Sequence, residues 1–124
     1  MNFRQIKPII SSKQIKETIA YYPNMLGFTC RAYREEWGWA AMQRDDVEVI
    51  LAYPNQHYSF EKPNFTGSFY IETEEVDFLW EELKNKVNIL NPLEILDQGM
   101  REFAIPDNNG YILQFRENLL EIKM

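Results

Sequence analysis

The sequence predicts an α+β fold made of two tandem β-α-β-β-β modules. Two segments have the apolar spacing of amphipathic helices, and each lies between one short apolar run and three strand-like runs. Apolar residues also recur at a nearly constant distance: Ile10 and Ile71 are 61 positions apart, and Ile50 and Ile112 are 62 apart. The shared order of elements and the shared offset together indicate an internal repeat.

Module 1 covers residues of about 3–53 and begins with the short strand QIKPII. Ser11 and Gln14 then resemble a capping box at the start of a helix. Pro23 is predicted to stop this helix, because a proline has no amide hydrogen to donate within it. The apolar residues in helical spacing between these signals are Ile15, Ile19 and Tyr22.

Module 2 covers residues of about 66–117 and begins with the strand GSFYIE. Thr73 is the predicted N-cap of its helix, and an acidic first turn follows that suits the positive end of the helix dipole. The polar run from Asn85 to Asn88 is expected to end the helix. The apolar face of the helix consists of Val76, Leu79, Trp80 and Leu83.

Three strands are predicted after each helix. They are FTCRAYRE, WGWAAMQR and VEVILAY in module 1, and NILNPLEIL, MREFAI and GYILQF in module 2. In the last pair, apolar and polar residues alternate on both sides of Pro-Asp-Asn-Asn-Gly, which predicts a β-hairpin. The stretch 54–65 has two prolines and mixed polarity, and is the predicted linker between the modules.

The composition narrows the class of protein. The 124 residues suit one domain, and 45% hydrophobic residues are enough for a core. No run approaches the ~20 apolar residues of a membrane span, and the N-terminus lacks the apolar core of a secretory signal. The single cysteine, Cys30, cannot form an internal disulfide, which fits a cytoplasmic protein. The net charge of −6 disfavours nucleic acid as a partner and mildly favours cationic ligands.

Three stretches carry a resemblance to a known family: ETIAYYPNMLGF (17–28), GWAAMQRDDVEVILAYP (38–54) and GMREFAIPDNNGYILQF (99–115). Together with the paired repeat, they resemble the vicinal oxygen chelate superfamily of glyoxalases, extradiol dioxygenases and fosfomycin- and bleomycin-resistance proteins. The likeness is closest to the bleomycin-resistance proteins, which have a similar aromatic pair with LGF, a GW…QR…V strand pair and GMREFA…D..G. The resemblance implies a single domain of residues 1–124 in the glyoxalase/bleomycin-resistance fold, with a concave mixed sheet.

One face of this sheet is expected to line the concave ligand groove of the fold. Pairing Phe103 with Leu113 would put the apolar residues of the last hairpin against the helix, because neighbouring side chains of a strand alternate between faces. The opposite face would then carry Glu102, Ala104, Ile112 and Gln114. By the repeat, in which Asp45 corresponds to Asp107, module 1 would place Ala40, Met42, Ile50 and Ala52 on the same face.

Metal enzymes of the superfamily place His or Glu ligands at four groove positions. Aligned with this chain, these positions are Lys7, Ala52 (alternatively Ile50), Ser68 and Gln114. An ammonium, an apolar side chain, a hydroxyl and an amide are poor ligands for a divalent cation at neutral pH. The resemblance therefore implies a protein without metal or other cofactor. The lone histidine, His57, is assigned to the linker as a solvent-exposed residue.

Without a metal, the groove is a candidate small-molecule site with no catalytic residue. Bleomycin-resistance proteins sequester cationic, partly aromatic drugs at a homodimer interface, so the resemblance implies a similar ligand and a homodimer. Glu102 would supply the charge, unless it bonds Arg101 or an edge amide. Trp37 and Trp39 would stack on the ligand unless they pack in the core, and Gln98 stands where several relatives have a tryptophan. The candidate ligand-binding residues are Trp37, Trp39, Met42, Ser68, Tyr70, Gln98, Glu102 and Gln114.

Other chemistry has little support in the sequence. A single histidine in a loop makes a Ser-His-Asp triad implausible, and there is no Gly-rich phosphate loop and no zinc-ligand spacing. Two alternatives to drug sequestration stay open. One is a metal-dependent lyase or dioxygenase of the same superfamily with an atypical site, and the other is a binding scaffold for an endogenous metabolite.

Overall fold

The computed structural model describes residues 1–54, 62–63, 68–96 and 99–118. The chain divides into two compact units, Met1–Pro63 (unit 1) and Asn64–Met124 (unit 2). In the described residues, each unit has one four-stranded sheet and one α-helix in the order β-α-β-β-β. The predicted α+β fold with two tandem modules is thus confirmed.

Unit 1 forms a mixed sheet in the strand order β1-β4-β3-β2. Strand β1 runs parallel to β4, and the other neighbours are antiparallel. Its elements are β1 (Ile9–Ser11), α1 (Ile15–Leu26), β2 (Thr29–Arg34), a 3-10 turn (Glu35–Trp37), β3 (Trp39–Arg44) and β4 (Val47–Ala52).

Unit 2 repeats this topology in the strand order β5-β8-β7-β6, with β5 parallel to β8. Its elements are β5 (Phe69–Glu72), α2 (Val76–Leu83), β6 (Asn91–Ile95), β7 (Met100–Pro106) and β8 (Ile112–Asn118). None of the helices in these described stretches is long and apolar enough to cross a membrane.

Each helix packs its apolar side on one face of the sheet of its own unit. In unit 1, Tyr22 of α1 is fully buried, and its ring centroid lies 5.1 Å from that of Phe28. In unit 2, Phe103 is fully buried, with ring centroids of Trp80 and Phe115 at 5.2 and 5.1 Å. Edge and tilted contacts of this kind add to the stabilisation that comes from burial of apolar area.

Helix α1 continues through Pro23 to Leu26, so the prediction that Pro23 stops it is wrong. A proline in the last turn costs the helix one hydrogen bond, and the C-terminal carbonyls find other donors. The helix ends at Gly27, which takes a left-handed φ of 73° and donates its amide to the Pro23 carbonyl at 3.2 Å. Arg44 Nη1 donates to the Leu26 carbonyl at 2.7 Å.

Both predicted helix caps are wrong in detail. At the start of α1, the Oγ of Ser12 accepts a hydrogen bond from the amide of Gln14 at 3.0 Å, and the helix begins only at Ile15, beyond the predicted capping box. Before α2, the hydroxyl of Thr73 donates to the carbonyl of Ile71 at 2.9 Å. In each case a hydroxyl stabilises the turn before the helix, as Ser and Thr side chains commonly do.

The N-terminus of α2 is capped from a distant strand. The carboxylate of Glu117, on β8, accepts hydrogen bonds from the amides of Glu75 (3.2 Å) and Val76 (3.0 Å). These amides have no carbonyl partner within the helix, and the negative charge faces the positive end of the helix dipole. Glu117 therefore caps the N-terminus of α2, the role that the sequence predicted for Thr73.

The predicted hairpin at the end of the chain is confirmed as β7 and β8, with its register shifted by two residues. Phe103 pairs with Phe115 and Ile105 with Leu113, where Phe103 was expected opposite Leu113. Because side chains alternate with a period of two, this shift leaves every side chain on its predicted face.

Asp107 organises the loop of this hairpin. It is buried, and its Oδ1 accepts hydrogen bonds from the amides of Asn109, Gly110 and Tyr111 at 2.8–2.9 Å. A short acidic side chain that bonds the backbone ahead of it is typical of tight turns. The Pro-Asp-Asn-Asn-Gly signal thus marks the turn because of one buried carboxylate.

Candidate functional site

One face of the sheet in unit 2 lies opposite the α2 side. The buried side chains of Phe103, Ile105, Leu113 and Phe115 point to the helix. Their neighbours along each strand take the other face, here called the open face of unit 2. It includes Ser68, Tyr70, Glu72, Glu94, Met100, Glu102, Ala104, Ile112, Gln114 and Arg116.

Four polar side chains form a hydrogen-bonded chain across this open face. Ser68 Oγ and Gln114 Oε1 are 3.0 Å apart, and Gln114 Nε2 donates to Glu102 Oε2 at 3.0 Å. Arg116 Nε donates to Glu102 Oε1 at 2.5 Å, and Arg116 Nη2 makes a second ion-pair contact to the same oxygen. The structure thus brings together three predicted site residues, Ser68, Glu102 and Gln114.

These hydrogen bonds across the open face explain why position 114 is an amide. Gln114 accepts from a hydroxyl with its oxygen and donates to a carboxylate with its nitrogen. A glutamate there could only accept while ionised, and it would set a second negative charge beside Glu102. The amide therefore orients Glu102 where a carboxylate would repel it.

Arg116 stacks on the aromatic ring of Tyr70. The guanidinium carbon lies 5.4 Å from the ring centroid, within the range of a cation–π contact. Nη1 of Arg116 also contacts the sulfur of Met100 at 3.7 Å, a weak acceptor. Tyr70 itself keeps about half of its surface exposed, at 55%.

Glu102 is not bonded to Arg101, which was one of its expected alternatives. Arg101 follows the parity of the helix side, where its Nη1 donates to Asp77 Oδ2 at 2.5 Å. That hydrogen bond raises the pKa of the Arg101 guanidinium. The side chains of Arg101 and Glu102 therefore lie on opposite faces of the sheet.

The open face of unit 2 carries more negative than positive charge. The register places Glu72 beside Arg116 and Glu94 beside Glu102, and both added carboxylates are on exposed residues. Directly paired residues of neighbouring strands share a face. This face therefore carries three carboxylates and one guanidinium, which favours cations over anions on this surface.

The sheet of unit 1 has its own ion-pair cluster, centred on Glu48 of β4. Arg31 Nη2 lies 2.5 Å from Glu48 Oε2, and Lys7 Nζ lies 3.1 Å from Oε1. Hydrogen bonds from Arg31 and Lys7 hold the pKa of Glu48 below its usual range. Lys7, a predicted groove residue, is thus committed to a partner within its own unit.

Trp37 and Trp39 flank a glycine whose backbone leaves no room for a side chain. Gly38 has a left-handed φ of 59°, and an added Cβ would lie 2.8 Å from the Cβ of Tyr53. Trp37, in the 3-10 turn, is 71% exposed, and Trp39 at the start of β3 is partly exposed. Trp37 is therefore not a core residue, and its indole is free to contact a ligand.

Met42 lies on the helix side of its sheet, so its predicted place on the groove face is wrong. It pairs with Val49 and is fully buried, whereas Trp39 and Ala41 share a face with Ile50. The reason is the length of the turns: β3 and β4 are joined by two residues, and β7 and β8 by five. The turns differ by an odd number of residues. Residues of β3 therefore point to the face opposite to the one expected from their repeat counterparts in β7. The same reversal applies to Ala40, also fully buried.

The residues at the superfamily's metal-ligand positions do not fit a divalent metal. Ser68 offers a hydroxyl and Gln114 an amide, both weak ligands for a divalent metal, and both are bonded into the hydrogen-bonded series from Ser68 to Arg116. Lys7 is a cation paired with a carboxylate. Across the described ranges, no group of three or more His, Cys, Asp or Glu side chains is placed to hold a metal ion.

Two residues singled out in the sequence, Gln98 and His57, lie outside the described residues. Their predicted roles, a ligand contact and an exposed loop position, stay predictions.

The sequence profile of the Glyoxalase/Bleomycin resistance protein/Dioxygenase superfamily matches residues 5–115 of this chain. The chain belongs to this superfamily. No curated protein matches it at significant sequence similarity. The match covers both units, and the tandem β-α-β-β-β topology agrees with it.

Several solved structures share the fold at low sequence identity. The bleomycin-binding protein from bleomycin-producing Streptomyces verticillus, in complex with copper(II)-bleomycin, is 21% identical with a TM-score of 0.71, covering 93% of this chain and 96% of that one. Lactoylglutathione lyase from Agrobacterium tumefaciens is 12% identical with a TM-score of 0.73, covering 94% and 95%. TioX from Micromonospora sp. ML1 is 13% identical with a TM-score of 0.72, covering 92% and 95%. At these identities the likeness concerns the fold alone.

Sequence reasoning missed Arg116, which completes the chain on the open face. Strand parity contained the signal, because Arg116 lies two positions after Gln114 and therefore on the same face. It also missed the pairing of Arg31 with Glu48, which depends on an irregular register in β2 between Cys30 and Ala32. A bulge of that kind turns side chains in a way that simple alternation does not predict.

Proposed function

We propose that this superfamily member is a metal-free small-molecule binding protein of the bleomycin-resistance type. It sequesters a cationic, partly aromatic drug or metabolite in a groove of a homodimer. The observation that carries the proposal is the chain from Ser68 through Gln114 and Glu102 to Arg116. Ser68 and Gln114, at two of the four superfamily ligand positions, are already hydrogen-bonded in this series, which ends at the positive charge of Arg116. The surface therefore suits recognition of a ligand better than Lewis-acid chemistry.

Aromatic side chains support a ligand with flat parts. Trp37 of unit 1 and Tyr70 of unit 2 are exposed at 71% and 55%. Large aromatic side chains contribute most of their binding energy when a partner covers them, so exposed ones are candidates for stacking. Trp39 is partly exposed and is a second candidate in unit 1.

Electrostatics support a cationic ligand. The protein has a net charge of −6, and the open face of unit 2 carries the carboxylates of Glu72, Glu94 and Glu102 and the single guanidinium of Arg116. A surface with an excess of one charge raises the local concentration of the opposite ion and speeds its association. The bleomycin-binding protein from Streptomyces verticillus has the same fold.

The first test is metal analysis together with a ligand titration. Purified protein should contain no stoichiometric Zn²⁺, Ni²⁺, Fe²⁺ or Mn²⁺, and a chelator should leave its Tm unchanged. Calorimetric titration with bleomycin and other planar cations should show saturable binding, with quenching of indole emission that weakens in Trp39→Phe. A stoichiometric metal whose removal lowers the Tm by several degrees would instead favour a lyase or dioxygenase, and the absence of any binding would remove the proposal.

A further inference from the structure

We propose that Glu102 and Tyr70 form a cation site whose resident occupant is the chain's own Arg116. An organic cation then binds by taking the place of this guanidinium. The inference rests on the proposed function, because it names the subsite that would receive the cationic part of the ligand. It assigns Arg116 as a specificity-determining residue that competes with the ligand.

The geometry around Arg116 is that of a site built for a planar cation. Glu102 accepts from Nε at 2.5 Å, and the ring of Tyr70 lies under the guanidinium at 5.4 Å. A carboxylate at the edge and an aromatic ring at the face are the two groups that recognise flat, delocalised cations. A ligand amidinium or guanidinium could make the same two contacts.

The carboxylate stays in position when the guanidinium leaves. Oε2 of Glu102 is held by Gln114 Nε2 at 3.0 Å, and Gln114 is in turn held by Ser68. The side chain of Glu102 is only 14% exposed, so it has little freedom to turn away. The amide therefore keeps the anionic half of the site ready for another cation.

Arg116 has the properties of a replaceable occupant. Its side chain is 25% exposed, and the thioether of Met100 is the weak partner of Nη1 at 3.7 Å. A long side chain near the surface can swing into water, where solvation of its charge offsets part of the lost contacts. The neighbouring carboxylates of Glu72 and Glu94 disfavour an anion in its place.

The test compares an aromatic cation with its neutral analogue. Benzamidinium is flat and cationic, and benzamide has nearly the same shape without the charge. Arg116→Met removes the competing guanidinium at similar length, and it should bind benzamidinium about tenfold or more tighter than wild type, because a charge-assisted hydrogen bond becomes available without competition. Benzamide should bind Arg116→Met and wild type equally. The double variant Arg116→Met/Glu102→Gln should lose the gain.

A second variant and a spectroscopic readout guard against misfolding. Arg116→Gln keeps a hydrogen bond to Glu102 without the charge, and it should show the same gain if Arg116→Met is unstable. In wild type, saturating benzamidinium should shift the NMR signal of the Arg116 Nε hydrogen towards that of a solvated side chain. Unchanged benzamidinium affinity in folded Arg116→Met or Arg116→Gln would show that the pair is structural, and would overturn the inference.

The outcomes separate this inference from the proposed function. Tight bleomycin binding by wild type with no effect of either Arg116 variant would leave sequestration standing and remove the Arg116 site. A Glu102-dependent gain for benzamidinium in the variants, without any drug binding by wild type, would keep the cation site and remove drug sequestration.

Discussion

At the scale of single residues, the ion-pair cluster on the sheet of unit 1 joins one shielded carboxylate to two more exposed cations. Glu48 has an 11% exposed side chain, while its partners Arg31 and Lys7 are 48% and 39% exposed. The carboxylate is the least exposed member of this cluster. Its protonation should therefore lower the free energy of unfolding. Lys7 also connects the segment before β1 to the sheet of unit 1, since it precedes Pro8, whose carbonyl accepts from the amide of Ile50.

The lowered pKa of Glu48 predicts a pH-dependent loss of stability in Glu48→Gln. A carboxyl whose pKa is lowered by folding stabilises the folded state above its unfolded pKa, and this contribution is lost as the pH falls through the lower folded pKa. At pH 7 the variant should lose about 1 kcal/mol of unfolding free energy, because the partners are partly exposed. Urea denaturation from pH 7 to pH 3 measures the difference, which should shrink in acid.

Glu94→Gln is the matched control for this experiment, because Glu94 is exposed and has no ion pair within the described residues. It should change the unfolding free energy little at either pH. A Glu48→Gln deficit that stays constant down to pH 3 would contradict the assignment of the stabilisation to the charge.

At the scale of elements, α2 depends on a strand for its start. Its first residues follow Glu75, which has a left-handed φ of 54°, and no side chain of the helix caps it. The carboxylate of Glu117 takes that role from β8, 41 residues beyond Val76. The helix and the sheet of unit 2 are therefore joined by charge as well as by the packing of Trp80 on Phe103.

Replacing this carboxylate should weaken α2. Glu117→Gln leaves one acceptor oxygen for two amides and removes the charge at the positive helix end, so the unfolding free energy should fall by about 0.5–2 kcal/mol. Thermal and urea denaturation measure the change, and hydrogen exchange should speed up first at the amides of Glu75 and Val76. Glu82→Gln, on the exposed side of α2, is the control and should be nearly neutral. Equal stability of the two variants would show that the cap adds nothing.

At the scale of the whole molecule, exposed apolar side chains point to a partner. Phe3 and Ile6 are 96% exposed and Ile9 is 69% exposed. Exposure of this much apolar surface to water is unfavourable for a monomeric protein. A second copy is the simplest partner, since most oligomers of soluble proteins are symmetric assemblies of one chain. This argument agrees with the homodimer that the family resemblance implies.

The homodimer is testable by mass. Light scattering at micromolar concentration should give about twice the protomer mass of 14.9 kDa, with an interface of roughly the standard ~1,600 Å² or more. Replacing Phe3 and Ile6 with serine should shift the equilibrium towards the protomer if the exposed segment contributes to the interface. A stable protomer that binds bleomycin as tightly as the assembly would contradict the expectation.

The order of elements and most of the faces were already determined by the sequence. Helical spacing and strand alternation are local properties of the backbone, so α1, α2 and all eight strands were found where their periodic residues lie. The same alternation grouped Glu102 with Gln114 even though the register was two residues out. The family resemblance carried over both units for the same reason, because it followed these local patterns.

Only the tertiary structure decided which charges meet. Glu102 is paired with Arg116, Glu48 with Arg31, and the start of α2 with Glu117, each from another strand. Such pairs depend on the register and on turn lengths, and a turn that differs by an odd number of residues reversed the faces of β3 and buried Met42. The physical reason is that an ion pair or a cap requires groups within about 3 Å, whereas a sequence pattern specifies a face and not a neighbour.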